Sequence, residues 1–267
     1  TNRVTGVLTG VLITALIQSS SATTVMVVSF VNAGLLTLAE SISVIMGANI
    51  GTTVTAWIVA FIGFKMDIAA LSLPLMAVAA PLLFIGKGKW KNLGECIIGF
   101  ALLFMGLNLL SEAAEAMEIG KHMGEWLTHI DVNAWWAIPL FLFAGMILTM
   151  AMQSSSASMA ITLMLFDMNI PGFGLAQAAA LAMGQNIGTT ITALLASFAG
   201  NTLAKRAALA HTLFNVFGVI IILCIFPLSI RATEILDKVI FGDSSNNMYL
   251  LSIFHTCFNL FNTMVMI

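Results

Sequence analysis

Charge is scarce in this sequence: Asp, Glu, Lys and Arg make up 8% of its 267 residues, against roughly 25% in an ordinary soluble domain. Water cannot be the main solvent for such a chain. The few charges are balanced, ten basic against twelve acidic, so no electrostatic footprint for nucleic acid is present. Tyrosine occurs once. Transmembrane β-barrels need aromatic girdles and strands of alternating polarity, and a single Tyr among continuous apolar runs argues against that class. The cysteines, Cys96, Cys224 and Cys257, lack metal-ligand spacing and read as small apolar packing residues inside spans. No cleavable leader is visible, and the first apolar run can itself insert.

What fills the space is apolar, 60% of all positions. Runs such as 42–62 and 68–85 approach the roughly 20 residues that a helix needs to cross about 30 Å of hydrocarbon. The expected fold class is an all-α membrane protein.

The chain also repeats itself. Gln18-Ser19-Ser20-Ser21-Ala22 returns as Gln153-Ser154-Ser155-Ser156-Ala157, with Gly10 and Thr14 upstream matched by Gly145 and Thr149. The block Gly47-Ala48-Asn49-Ile50-Gly51-Thr52-Thr53-Val54-Thr55-Ala56 returns at 184–193, changed only by Gln185 for Ala48 and Ile191 for Val54. Two blocks recurring in the same order mark an internal duplication. The expected first repeat, 1–110, holds a hairpin at 4–31, spans at 38–63, 66–85 and 92–110, and a basic loop at 86–91. An acidic connection at 111–133 follows, its 112–125 stretch reading as a solvated or interfacial helix. The second repeat, 134–267, holds a hairpin at 134–166 and spans at 175–200, 205–230 and 248–267, the last two joined by a polar connection.

Charge decides the topology. Lys and Arg of short loops favour the cytoplasm, and the two basic clusters are Lys87/Lys89/Lys91 and Lys205/Arg206. Both face inward only if 134–166 turns back inside the membrane. The connection 111–133 is then extracellular, and three spans separate the Gln-Ser-Ser-Ser blocks. An odd number makes the repeats inverted, each with a re-entrant helical hairpin. A hairpin arm of about 14 residues reaches roughly 20 Å, past the midplane without crossing.

Gln and three Ser at that depth present many hydrogen-bonding groups, tolerated only against protein or a water-filled cavity. Ser hydroxyls donate and accept, and the Gln amide does both, so the set suits an oxyanion and a hard cation. The unpaired N–H groups opening the second arm add an anion site. In the other block, Gly47 and Gly51, like Gly184 and Gly188, suggest a discontinuous transmembrane helix. Its freed carbonyls and Thr oxygens are Na⁺ ligands in kind, a recurrent design in inverted-repeat transporters. The bland alternative is small residues easing helix packing, which a matched pair of motifs disfavours.

These duplicated blocks resemble the type II Na⁺/phosphate cotransporter family, whose signature is a QSSS block followed by a GxNIGT-type block. The resemblance covers residues 4–230 and implies Na⁺-coupled phosphate transport by alternating access, with no cofactor. It implies phosphate contacts at Gln18, Ser19, Ser20, Ser21, Gln153, Ser154, Ser155 and Ser156. Sodium contacts are implied at Gln18, Ser21, Asn49, Thr52, Thr53, Gln153, Ser156, Asn186, Thr189 and Thr190, with no transition metal. The implied partners are phosphate, Na⁺ and membrane lipids, with no nucleic acid and a homodimer compatible; the implied location is the bacterial plasma membrane, multi-pass. Lys205-Arg206-Ala207-Ala208 leading into His211-Thr212-Leu213-Phe214-Asn215 also looks like the family's second half, and His255-Thr256-Cys257-Phe258-Asn259 repeats the pattern. His and Asn at i, i+4 share a helix face and read as interhelical hydrogen-bonding groups. The departure from the family is that no such His-x-x-Phe-Asn follows the first Gly-Asn block.

No Asp, Glu, Lys or Arg stands inside the four blocks. Intramembrane charges ordinarily mark ion paths, so a divalent anion here would need co-bound Na⁺ as its countercharge. Three other readings compete: a transporter of sulfate or another small oxyanion, a channel, and an intramembrane serine hydrolase using His211 or His255. Against the hydrolase, the G-x-S-x-G elbow is absent and two equivalent serine sites stand where an enzyme needs one. Met and Phe read as lipid-facing or packing residues, and the five Trp mostly as interfacial anchors.

Overall fold

A computed structural model describes residues 2–63, 68–132, 134–244 and 246–267. The described residues are helical almost throughout: α1 (Arg3–Ile17), α2 (Ser20–Asn32), α3 (Leu38–Ile58) ending in a π-helical turn (Val59–Gly63), α4 (Ile68–Phe84), α5 (Lys89–Ala116), α6 (Ile119–Thr128), α7 (Ala137–Met152), α8 (Ser155–Asp167), α9 (Leu175–Gly188), α10 (Thr190–Ser197), α11 (Thr202–Cys224), α12 (Phe226–Phe241) and α13 (Asn247–Met266). Three helical stretches, Leu38–Ile62, Lys89–Ala116 and Thr202–Cys224, are long and apolar enough to cross a membrane. Helix is what an apolar solvent demands, because each backbone donor must find its acceptor within the chain. The first-turn donors that a helix cannot satisfy itself are met by side chains: Asn2 caps α1, Asn201 caps α11 and Asn246 caps α13.

The chain divides into two compact units, Ile58–Met123 and the remainder, Thr1–Trp57 with Gly124–Ile267. In the smaller unit α4 and α5 pack along their lengths, brought close at Gly94, where a Cβ would stand 2.9 Å from the Leu83 nitrogen. Ala79, Ala101 and Phe104 are buried in it, while Leu73, Val78 and Phe84 are exposed. The larger unit holds both duplicated blocks of each repeat. Its packing is built on small residues, as membrane helices require: Val28 and Val31 of α2 meet Ala193 of α10 and Ala204, Ala207 and Ala208 of α11. Leu8, Leu12 and Leu16 line the outer, exposed face of α1 at helical spacing.

Two glycine pairs set the closest approaches. A Cβ on Gly10 would collide with the Val44 carbonyl, and one on Gly47 with the Val7 carbonyl; in the second half Gly145 meets Leu181 and Gly184 meets Leu142 in the same way. The glycines therefore serve helix crossings, α1 over α3 and α7 over α9, and not interruptions. The discontinuity expected at the Gly-Asn blocks is absent from the first and is confined in the second to the single residue between α9 and α10. Helix α3 runs unbroken through Gly47, Asn49 and Gly51. Between α9 and α10 only Thr189 intervenes, with helical dihedrals and its N–H still bonded to the Gln185 carbonyl.

Other boundaries differ from the sequence expectation. Residues 226–241, the end of the expected 205–230 span and its polar connection, form α12, which opens with Pro227 in its first turn; only 242–246 separates α12 from α13. The acidic stretch 112–125 is divided, because α5 continues to Ala116 and Glu118 takes a positive φ before α6. Helix α5 also begins at Lys89, inside the expected 86–91 loop. The start of the expected 66–85 span, and Asn133 at the end of the connection, lie outside the described residues. Trp57 is half-buried and donates to Thr256 Oγ1 on α13 at 2.9 Å.

Candidate functional site

Each Gln-Ser-Ser-Ser block is the corner between two short helices. Gln18 closes α1 and Gln153 closes α7 in the left-handed conformation, at φ 57° and 53°, a region that non-glycine residues seldom occupy. The chain reverses there, and the next residue starts the second helix. Ser19 Oγ accepts from Ala22 N at 3.1 Å, and Ser154 Oγ from Ala157 N at 3.2 Å. These two serines are N-caps, so the first Ser of each block holds the corner together.

The second Ser of each block does something else. Ser20 and Ser155 are buried, and their hydroxyl oxygens lie 3.2 Å apart. The two corners, 135 residues apart in sequence, meet at this pair. The third Ser of each block, Ser21 and Ser156, is half-buried beside it. Thr55 of α3 adds a bridge that the sequence reading did not single out: its hydroxyl donates to Gln18 Oε1 at 2.8 Å and lies 3.4 Å from Ser156 Oγ. One side chain thus touches both corners. Its position at the end of the Gly-Thr-Thr-x-Thr string, six residues after Asn49, was the available signal.

The remaining expected sodium ligands are deployed along their own helices. Thr52, Thr53, Thr189 and Thr190 are buried and donate to the carbonyls of Ala48, Ile50, Gln185 and Ile187 at 2.8–3.0 Å. A Thr hydroxyl so engaged keeps its lone pairs for a cation. Asn49 and Asn186 turn away from the corners to other helices: Asn49 Nδ2 donates to Asn215 Oδ1 of α11 at 2.7 Å, and Asn186 Nδ2 to Asn259 Oδ1 of α13 at 2.8 Å. His255 Nε2 stands 3.3 Å from Asn186 Oδ1. Asn215, Asn259 and His255 make interhelical hydrogen bonds, as their helical spacing suggests, whereas both ring nitrogens of His211 are buried without a partner.

The place where the corners meet is polar and carries no formal charge from the four blocks, only hydroxyls, carboxamides and helix-start N–H groups. Such a donor set fits an oxyanion accompanied by a hard, oxygen-seeking cation.

The profile of the Na⁺/Pi-cotransporter family matches residues 1–112 and 114–240, nearly the whole chain. The chain belongs to the Na⁺/Pi-cotransporter family. This is a family of phosphate transporters and not an enzyme class, and it agrees with the apolar helices in making the chain a membrane protein. Among relatives, the chain is 35% identical to the uncharacterized protein YqeW of Bacillus subtilis over 87% of its own length and 71% of that protein's. It is 31% identical to the putative inorganic phosphate export protein YjbB of Escherichia coli K12, over 97% of its own length and 44% of YjbB's. A segment of 59 residues is 54% identical to the sodium-dependent phosphate transport protein 2A of Ovis aries, covering 22% of the chain and 9% of that protein. No solved structure matches.

Proposed function

We propose that the chain is a sodium-coupled inorganic phosphate cotransporter of the bacterial inner membrane, working by alternating access. The observation that carries this reading is the 3.2 Å contact between Ser20 and Ser155, which joins the two duplicated corners into one buried polar site. On this reading α1–α2 and α7–α8 are re-entrant hairpins entering from opposite sides, in two inverted-topology repeats, 1–110 and 134–267. Their shared tips bind the anion near the midplane. Ser20, Ser21, Ser155 and Ser156 with the N–H groups opening α2 and α8 hold phosphate; the Gln18 and Gln153 carbonyls and the Thr52, Thr53, Thr189 and Thr190 oxygens hold Na⁺. Ser19 and Ser154 act through the backbone they cap, and Asn49 and Asn186 through the helices they fix.

Sodium is the coupling ion on electrostatic grounds. A dianion taken from water into a site without fixed positive charge bears a large desolvation cost, and co-bound Na⁺ offsets it. The family and the name of the 2A transporter support this choice. YjbB bears the name of a phosphate exporter, and a coupled transporter runs whichever way its combined gradients drive it.

The deciding measurement is radiolabelled phosphate flux in proteoliposomes, with imposed Na⁺ gradients of either sign and K⁺ and sulfate controls. Saturable flux that follows the Na⁺ gradient, and falls at least tenfold in both Ser20→Ala and Ser155→Ala, is the expected result. Flux indifferent to Na⁺ removes the coupling, and equal competition by sulfate removes the assigned cargo.

A further inference from the structure

In chain order α11 follows the second motif helix, and so belongs to the second repeat. The hydrogen bonds assign it otherwise. Asn49 of the first repeat donates to Asn215 Oδ1, and Asn215 Nδ2 donates in turn to the His211 carbonyl at 3.0 Å. Asn186 of the second repeat donates to Asn259 Oδ1, and Asn259 Nδ2 to the His255 carbonyl at 2.9 Å. The two relays match in both of these bonds; the second adds His255 Nε2, 3.3 Å from Asn186 Oδ1, where the His211 ring has no partner.

The starts of these helices repeat the arrangement. Asn201, which caps α11, gives its backbone N–H to Asn32 Oδ1 at 2.7 Å and its side-chain amide to the Asn32 carbonyl at 3.0 Å, at the end of the first hairpin. Asn247, opening α13, gives its amide to the Phe166 carbonyl and to Asn169 Oδ1, both at 2.9 Å, at the end of the second. Helix α11 therefore clasps α2 and α3, and α13 clasps α8 and α9.

A third observation ties the two clasps together. Gly218 and Asn262 each stand seven residues beyond their histidine, and they touch: a Cβ on Gly218 would meet the Asn262 carboxamide, its Cγ at 2.6 Å. When one position contacts its own equivalent, both lie on the axis that relates them. Ser20 and Ser155 are such a pair, and Gly218 and Asn262 are a second.

We infer that the fourth helices of the repeats are exchanged in sequence, α11 completing the first repeat and α13 the second, and that Asn215 and Asn259 are positioning residues for Asn49 and Asn186. This explains why no His-x-x-Phe-Asn follows the first Gly-Asn block: the helix that carries it is supplied 166 residues later. Each bond fixes the rotation of a motif helix, and with it, in the first repeat, Thr55 at the hairpin corners. The inference rests on the transport reading for its functional part and on geometry alone for the pairing.

The experiment is a set of double-mutant cycles with Asn→Ala at 49, 186, 215 and 259, read both by thermal unfolding midpoint in detergent and by Na⁺-dependent phosphate flux. Asn215→Ala and Asn259→Ala are expected to raise half-saturating Na⁺ roughly tenfold, the scale of one buried hydrogen bond lost, with maximal flux changed less than about twofold. Asn49→Ala/Asn215→Ala should be no worse than its worse single, and likewise 186 with 259, while 186 with 215 should multiply to roughly a hundredfold. Coupling of 186 to 215, or a loss confined to maximal flux, overturns the inference. If flux proves Na⁺-independent, the midpoints still read the pairing, so the two proposals fail separately. Should the alanine variants not fold, oxidative cross-linking decides, in chains with Cys96, Cys224 and Cys257 replaced by Ser: Asn49→Cys/Asn215→Cys is expected to close a disulfide and Asn186→Cys/Asn215→Cys is not, and the reverse pattern overturns the pairing.

Discussion

Gln18 and Gln153 stand at the same corner of two duplicated hairpins, with nearly the same backbone angles, yet their side chains have different fates. Gln18 is half-buried and its carbonyl is held by Thr55. Gln153 is exposed, and Thr192, which matches Thr55, donates to its own helix at the Thr189 carbonyl. A second difference lies on the motif helices. Ala48 of the first half is replaced by Gln185, buried and bonded to the Ser158 carbonyl at 3.1 Å and Thr162 Oγ1 at 2.7 Å. The first half thus ties its motif helix to the hairpin corner, and the second ties it to the middle of the hairpin's returning arm. Duplication supplied two equal frames, and single residues made one tip bound and the other open.

The glycine crossings test the equality of the frames and carry the largest expected effect. Gly47→Ala and Gly184→Ala each push a methyl into a carbonyl of the crossing helix, and each should destabilise by about 3 kcal/mol, the upper end of ordinary overpacking. Thermal unfolding in detergent measures this, and a tolerated alanine at one position would break the equivalence of the crossings.

The inequality of the tips comes next. Thr55→Val removes the hydroxyl shared by Gln18 and Ser156 and leaves the Gln18 carbonyl without that donor, a cost of about 1–2 kcal/mol expected as a five- to thirtyfold rise in half-saturating substrate. Thr192→Val should change flux by less than about twofold, since a local helix bond is all it loses. Equal effects would mean that both tips bind alike.

Smallest is Gln185→Ala, which installs the first half's residue in the second. Two hydrogen bonds are lost, but the Gln185 Oε1 that is buried without a partner goes with them, and the gain offsets part of the loss. A net destabilisation of about 1 kcal/mol is expected, read by the same unfolding assay, with flux little changed.

Sequence carried the duplication, the helical membrane class and the corner motifs, because those depend on local pattern: period, hydropathy and a polar cluster in an apolar run. The first Gly-Asn block, through which α3 runs unbroken, misled for a physical reason. Glycine signals both a broken helix and a close crossing, and only the partner helix decides between them; Val7 and Leu142 are that decision. Thr55 escaped notice because its role depends on two residues, Gln18 and Ser156, that no local spacing brings near it. The partnership of α11 with the first half was hidden for the same reason, lying 166 residues away from Asn49.

The left-handed glutamines have a consequence for the protein's heat tolerance. An L-residue other than glycine held in that conformation costs about 1–2 kcal/mol, and the chain bears this twice, at Gln18 and Gln153. Glycine at either corner would melt later and transport worse. Thermal unfolding in detergent measures the first effect and phosphate flux the second.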